Sequence, residues 1–393
     1  MEQFREEVRS WLSDNCPESA RGPGEPVTIG SKRPMKNPEL LVWRHKLGGR
    51  GWTIPTWPKE YGGGGLSTEE VEVLGEELDA IKARVPLGGM GVSMIGPTLL
   101  EYGTEEQKLR HIPSIAMGDI AWCQGYSEPG AGSDLASLQT KMIDKGDFYQ
   151  INGQKVWTSG ANFADWIFTL VRTDPDVPKH EGISFVLIDM DQPGITVNPI
   201  KLISGTSPFC ETFFDDATAR KDDLVGQLNR GWTVGKRLLQ HERSGQGGMR
   251  PGTAGAQIPL PRLVETARKY VGETEDGKIS DSSIRDRVIQ FSMNQRSFRS
   301  TQRRAREENT SGGTPAEATS IFKLYGATMG RDAANFRVEI MGSQGYGWEG
   351  DSFNEEELQA TRTYLQTRAM TIYGGTDEIQ KNIISKRVLG LPD

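Results

Sequence analysis

Residues 148–158 read FYQINGQKVWT. Aromatic and β-branched residues flank Asn152-Gly153, a dipeptide suited to a two-residue hairpin turn, so a hairpin centred there is expected. Three further runs have strand character: WIFTLVRT (166–173), ISFVLIDM (183–190) and ITVNPIKLI (195–203). Together they make residues from about 120 to 225 a small β unit. Before it the period is helical. MEQFREEVRSWLSDN spaces Phe4, Val8, Trp11 and Leu12 as one helix face, GWTIPTWPKEYGGGG (51–65) is an irregular loop, and Thr104 with Gln107 spells a capping box. After Gly231 the helical period returns, with Ile284, Val288, Phe291 and Phe298 on one helix, Ile321, Leu324 and Tyr325 opening another, and a third from Thr376 to Val388. The expected fold is mainly α with a β insert. It comprises an N-terminal α-helical domain (1–119), a middle β-barrel or sheet domain (120–228) and a C-terminal antiparallel four-helix bundle (229–393).

Composition narrows the partners. The 393 residues carry 46 Lys and Arg against 53 Asp and Glu, a net charge of -7, with no long single-sign block. A nucleic-acid or acidic-membrane surface would need a basic stripe, so neither partner is expected. No apolar run approaches the roughly 18 residues of a membrane span, and the charged N-terminus reads as a docked helix rather than a signal peptide. Cys16, Cys123 and Cys210 form no CxxC pattern, and four scattered histidines make no metal motif. A reducing, cytoplasmic setting without metal is expected.

Three short segments carry chemistry. GYSEPGAGSD (125–134) concentrates glycines, hydroxyls and acids; its spacing suits a tight surface turn or a loop whose backbone approaches a planar or anionic ligand. KVWTSG (155–160) puts Trp157 and Ser159 two apart on a strand, hence on one face, either as a core tryptophan with an exposed serine or as an aromatic ring and hydroxyl for a flat ligand. The third is YGGTDEIQ (373–380), opening the final helix.

In this order and at these places the segments resemble the acyl-CoA dehydrogenase family, and the resemblance runs the length of the chain. It implies FAD as cofactor, an acyl-CoA thioester as substrate and an electron-transferring flavoprotein as electron acceptor. Tyr126, Ser127 and the glycines that follow, Gly132 among them, resemble the loop along the flavin ring edge. Ser133 resembles a contact to the coenzyme A portion and stands beside the cofactor loop. Trp157 and Ser159 resemble the pair that covers the ring and bonds its N5 side, and Thr376 and Glu378 resemble contacts on the adenosine and pyrophosphate side. The family removes an α-proton while hydride leaves the β-carbon for FAD.

Gly374 stands where many members keep the glutamate base. Glycine retains the backbone N–H that helps hold the thioester carbonyl and loses only the carboxylate. A second branch of the family carries its glutamate on the helix opening the C-terminal domain. Here that helix reads GWTVGKRLLQHERSGQGG (231–248), and Glu242-Arg243 matches the branch's Glu-Arg pair, with Arg243 on the substrate side. Glu242 follows Leu238 by four residues and Val234 by eight, continuing an inward stripe on which desolvation would raise a carboxylate's pKa toward that of a base; a structural pairing with Arg243 is the other reading. His241 is expected off that face, as a surface or structural residue.

Two departures bear on substrate and assembly. SGQGGMRPGTAGAQIP (244–259) would break the helix that walls the acyl pocket in straight-chain relatives, which suits a bulky, polycyclic steroid-type acyl-CoA. ETEDGKISDSSIRDR (273–287) and VEIMGSQGYG (338–347) lack the residues with which homotetrameric relatives hold a neighbour's FAD, and Glu339 is expected to repel a pyrophosphate. The expected assembly is an α2β2 heterotetramer with a homologous sister subunit, the alternative a homotetramer. Two other functions remain on this reading: a non-catalytic, supporting subunit, and a flavin monooxygenase or oxidase on the same fold.

Overall fold

The computed structural model describes residues 1–86, 88–244, 260–310 and 319–392. These group into two compact units, one of Met1–Ile200 with Ser207 through the first helix after the sheet, the other of Lys201–Thr206 with the remaining helices.

The first unit begins with α1 (Glu2–Asn15), α2 (Pro38–Gly49), α3 (Thr68–Ala80), α4 (Gly96–Tyr102) and α5 (Glu105–Met117). On α1, Val8 and Leu12 are buried as their spacing demands, and they pack with Leu40, Trp43 and Leu74. The capping box opening α5 is formed by Thr104 and Gln107, each side chain bonding the other's backbone N–H.

Seven strands follow: β1 (Trp122–Gly125), β2 (Lys141–Asp144), β3 (Phe148–Ser159), β4 (Trp166–Arg172), β5 (Ile183–Asp189), β6 (Ile195–Ile200) and β7 (Phe209–Arg220). They are ordered β1-β4-β2-β3-β7-β6, with β5 also on β4. β1 runs parallel to β4, and a single parallel bridge, Lys141 to Arg172, joins β2 to β4. The Pro199 of β6 is tolerated because β6 pairs only with β7 and lies at the sheet edge.

The hairpin expected at Asn152-Gly153 is not there: β3 runs unbroken through both residues. The glycine answers a different need, since a Cβ at Gly153 would lie 2.7 Å from the Thr140 Cα. The irregularity belongs instead to β7, where Asp216 takes a left-handed φ of 55° opposite the step from Ile151 to Gly153. Asn152 holds that bulge, donating from Nδ2 to Asp216 Oδ1 at 2.8 Å and accepting from Asp216 N at 2.8 Å. The reversal into β3 comes earlier, around Gly146 at φ 90°.

α6 (Gly231–Ser244) completes the first unit. Its Val234 and Leu238 enter the core formed by α4, α5 and the sheet, with Leu99, Ile112, Phe168 and Phe185. The second unit holds α7 (Leu260–Val271), α8 (Ser282–Thr310), α9 (Thr319–Met341), α10 (Glu355–Gln366) and α11 (Asp377–Ile383). α9 is its central helix, packed by α7, α8, α10 and α11. Leu263, Ala267, Val288, Ala333, Ala334 and Ile340 form its core. The buried face of α6, the helix expected to open the C-terminal domain, packs on the sheet.

Candidate active site

In the first unit the structure brings the GYSEPGAGSD loop against β3. Val156 N donates to Ser127 O at 2.9 Å, and the Lys155 ammonium donates to Tyr126 O at 3.2 Å. The Tyr126 ring itself is a core group, edge-on to Phe168 and Phe185, with its hydroxyl 3.4 Å from Gly235 O on α6. Ser127 is half-buried, while Gly132 and Ser133 are exposed and a Cβ at Gly132 would meet nothing within 4 Å.

Trp157 does not follow strand alternation. Between Lys155 and Thr158, β3 carries one residue more than β7 spends between Thr212 and Cys210, and Trp157 absorbs the bulge at a left-handed φ of 60°. Such a conformation costs a non-glycine residue about 1–2 kcal/mol and persists only where its surroundings enforce it. Thr158 is buried and bonded to Cys210 O and the Thr212 hydroxyl, both at 2.8 Å, so the indole is turned outward. Trp157 is 54% exposed with its ring edge-on to Phe209, and Ser159, two residues on, is half-buried.

Sequence reasoning missed three residues here. Lys155 is fully buried and ion-pairs with Glu128 at 2.7 Å, while Glu128 also accepts from Gln139 N and Thr140 N at 2.6 and 2.9 Å. Burial raises the Glu128 carboxyl, but the Lys155 charge and these donors outweigh it and hold it below the usual range. Gln124, on β1, has a buried Nε2 without a hydrogen-bond partner among the described residues. Both acid and lysine lie inside the quoted motifs, EP in one and KVW in the other, yet nothing in their spacing pairs them.

Glu242 lies within α6, but its side chain and that of Arg243 fall outside the described residues, as does the whole of 245–259. The helix itself is firmly seated. Arg237 binds Glu101 through two hydrogen bonds of 2.7 Å, and His241 reaches the same carboxylate at 3.1 Å. His241 was expected off the inward face; it is 3% exposed and belongs to the buried stripe, because 241 follows 234 by seven residues. Burial lowers its pKa.

In the second unit Gly374 and Gly375 form a consecutive left-handed turn at φ 65° and 89°. A Cβ at Gly374 would meet only Lys323 Cε, at 3.9 Å, whereas one at Gly375 would strike Gln380 Nε2. Thr376 caps α11 by accepting from Ile379 N at 3.3 Å, and Glu378 is exposed in its first turn. Gln380 Nε2 closes the turn on Gly374 O at 2.8 Å. Around it, Lys323 Nζ and Asp377 Oδ1 form an ion pair at 3.6 Å, and Gln380 Oε1 is buried without a hydrogen-bond partner among the described residues. Tyr126, Ser127, Trp157 and Ser159 thus meet in one unit, and Gly374, Thr376 and Glu378 in the other.

Glu339, expected to repel a pyrophosphate, is paired with a cation. Arg287 forks onto it, with Nη2 to Oε2 at 2.8 Å and a second bond from Nη1 to Oε1, and the guanidinium also lies 4.1 Å over the Phe336 ring. The carboxylate stays charged, held below its usual range by Arg287, but its field is compensated. Among the described residues no cluster of three or more His, Cys, Asp or Glu is placed to hold a metal, and no helix is long and apolar enough to cross a membrane.

Comparison with known proteins bears on this arrangement. The acyl-CoA dehydrogenase N-terminal, middle and C-terminal domain families match residues 1–119, 123–217 and 229–389. The acyl-CoA dehydrogenase IpdE1 of Mycobacterium tuberculosis is 39% identical, with 100% of this chain and 98% of that protein aligned. The acyl-CoA dehydrogenase FadE34 of the same organism is 36% identical over 88% of this chain and 45% of its own length. Among solved structures, the Tcur3481-Tcur3483 steroid ACAD superposes with a TM-score of 0.75 at 30% identity, covering 100% of this chain and 97% of that one. The ChsE4-ChsE5 complex from Mycobacterium tuberculosis does so at 0.73 and 27%, with 100% and 97% covered. Three consecutive domain matches and full-length relatives of this identity place the chain in the acyl-CoA dehydrogenase family.

Proposed function

We propose that this chain is a catalytically active, FAD-dependent acyl-CoA dehydrogenase subunit that converts a bulky, polycyclic steroid-type acyl-CoA to its trans-2-enoyl product, with Glu242 as the α-proton base. The Gly374–Gly375 turn is the observation that carries it. Gly374 brings no carboxylate and takes a left-handed φ of 65° that glycine adopts without strain, which supports a base on another element. Glu242 lies on α6, a helix seated by its buried Val234, Leu238 and His241.

The residues present fit the cofactor. In the first unit an uncovered indole at Trp157, and a buried Gln124 Nε2 without a hydrogen-bond partner among the described residues, suit a flat group with polar edges. By the family resemblance, Ser127, Gly132, Ser133, Trp157 and Ser159 are assigned to the flavin side of FAD, and Thr376 and Glu378 to its adenosine and pyrophosphate side. Bound there, FAD supplies the acceptor for the hydride leaving the β-carbon. Glu242 takes the α-proton, the Gly374 N–H steadies the thioester carbonyl, and Ser133 and Arg243 orient the substrate.

Electrons would pass to an electron-transferring flavoprotein. A sister subunit in an α2β2 assembly is supported by solved neighbours that are themselves named as complexes of two chains, and a cytoplasmic setting suits these partners. The three domain matches support boundaries near 119 and 228. Competitive oxidation of octanoyl-CoA and a steroid-side-chain CoA tests the substrate: preference for the steroid thioester is expected, and preference for octanoyl-CoA would overturn it.

A further inference from the structure

Glu128 lies within the first segment assigned to the flavin and Lys155 opens the second, yet neither has been given a role there. The ammonium is 0% exposed and makes two contacts, Glu128 Oε1 at 2.7 Å and Tyr126 O at 3.2 Å. Glu128 in turn gathers Gln139 N and Thr140 N, so one buried ion pair ties the GYSEPGAGSD loop, the entry to β2, and β3. A buried ion pair is a poor device for stability alone, because apolar residues of the same volume do as well or better. Its use here is geometric. Lys155 is the last regular residue before the bulge and Thr158 the first after it, and both are buried and bonded. With its two ends held, the intervening dipeptide has nowhere to relax, and the indole of Trp157 is presented outward in a conformation it would not adopt freely.

We infer that Lys155 is a positioning residue: by binding Glu128 and the Tyr126 carbonyl at once, it fixes Trp157 relative to Ser127 and so sets the seat of the flavin ring. This rests on the FAD reading above. The charge matters, since a neutral side chain of equal length could fill the space but could not draw both oxygens onto one atom. Burial pushes the Lys155 pKa down to about 8, which leaves the ammonium charged at neutral pH.

The test uses the full chain, co-purified with any sister subunit, as wild type, Lys155→Met, Glu128→Asp and the double variant Lys155→Met/Glu128→Gln. FAD affinity is read by titrating the deflavinated protein and following flavin fluorescence, and fold integrity by the thermal midpoint. Lys155→Met should lower both, because it strands a buried carboxylate. The double variant removes both charges and should recover the midpoint while binding FAD about tenfold more weakly, the scale of one charge-assisted hydrogen bond. Glu128→Asp keeps the charges but draws the loop by one methylene, and should weaken FAD binding without moving the midpoint. Wild-type affinity in a double variant whose midpoint has recovered, or in Glu128→Asp, overturns the inference while leaving the FAD reading intact. Absence of FAD binding by wild type overturns both.

Discussion

Gly231, the first residue of α6, offers a sharp perturbation. A Cβ built there would lie 2.2 Å from the Ser184 carbonyl carbon, 2.3 Å from Phe185 N and 2.6 Å from Ser184 Cα, all backbone atoms of β5. Against a normal carbon contact of about 3.5 Å, the shortest of these falls short by roughly 1.3 Å. The helix start cannot simply retreat, because Asn229 N is bonded to the Ser184 hydroxyl at 2.8 Å and Val225 N to Phe185 O at 2.9 Å. Gly231→Ala should therefore cost about 3 kcal/mol, at the upper end of overpacking, and displace the helix that bears Glu242 by about 1 Å. A shift of that size lowers a proton-transfer rate by about a hundredfold. Gly235→Ala, one turn on, is the control. Its Cβ would meet side chains of Leu170 and Tyr126 at 3.1–3.3 Å, which can yield, and the helix gains about 1 kcal/mol from alanine. Denaturant unfolding and anaerobic flavin reduction by acyl-CoA measure the two effects. The reasoning is refuted if Gly231→Ala unfolds and reacts like wild type, or if Gly235→Ala is the more damaged.

Three further outcomes follow from the geometry. His111 is buried edge-on between Trp122 and Trp166 and accepts from Arg110 Nε at 3.2 Å, and burial pushes its pKa down to about 3. The unfolded chain therefore binds the extra proton between about pH 6.5 and 3. The stability from a neutral His111 is complete above that window and falls with acidification at up to about 1.4 kcal/mol per pH unit; His111→Gln should flatten that slope by one proton in denaturant melts taken across it. Trp157→Gly should stabilise the apoprotein by about 1 kcal/mol through relief of the left-handed φ, yet weaken FAD binding, a divergence that paired melts and titrations would detect. Thr376→Ala removes the α11 cap and should cost about 1 kcal/mol of stability, with local loss of amide protection at Ile379 by hydrogen exchange.

How far the fold was legible depended on whether its signal was local. The Thr104–Gln107 capping box could be read because both partners lie within four residues, and β4 and β5 because each is a continuous run that loses its apolar surface on pairing. Asn152-Gly153 misled because a turn and a bulge ask the same things of these residues; the close approach of Thr140 to Gly153, far outside the local window, decides between them. β7 went unnamed although FCETFF is rich in strand formers, since its acidic DD interrupts the run where Asp216 bulges. In the site, Trp157 was found from its motif, but its outward presentation depends on a register shift that a single strand does not reveal. The Lys155–Glu128 pair joins residues 27 apart, and two charged residues at that distance read as surface until the sheet brings them together.

In the proposed mechanism Glu242 replaces the glutamate absent at Gly374. Anaerobic bleaching of the bound flavin by a panel of acyl-CoA thioesters, compared between wild type and Glu242→Gln with FAD content measured on both, tests it most directly. A variant that retains FAD but bleaches about a thousandfold more slowly, within the range that a general base contributes, is the predicted result. A variant that bleaches at the wild-type rate would place the base elsewhere and contradict the account.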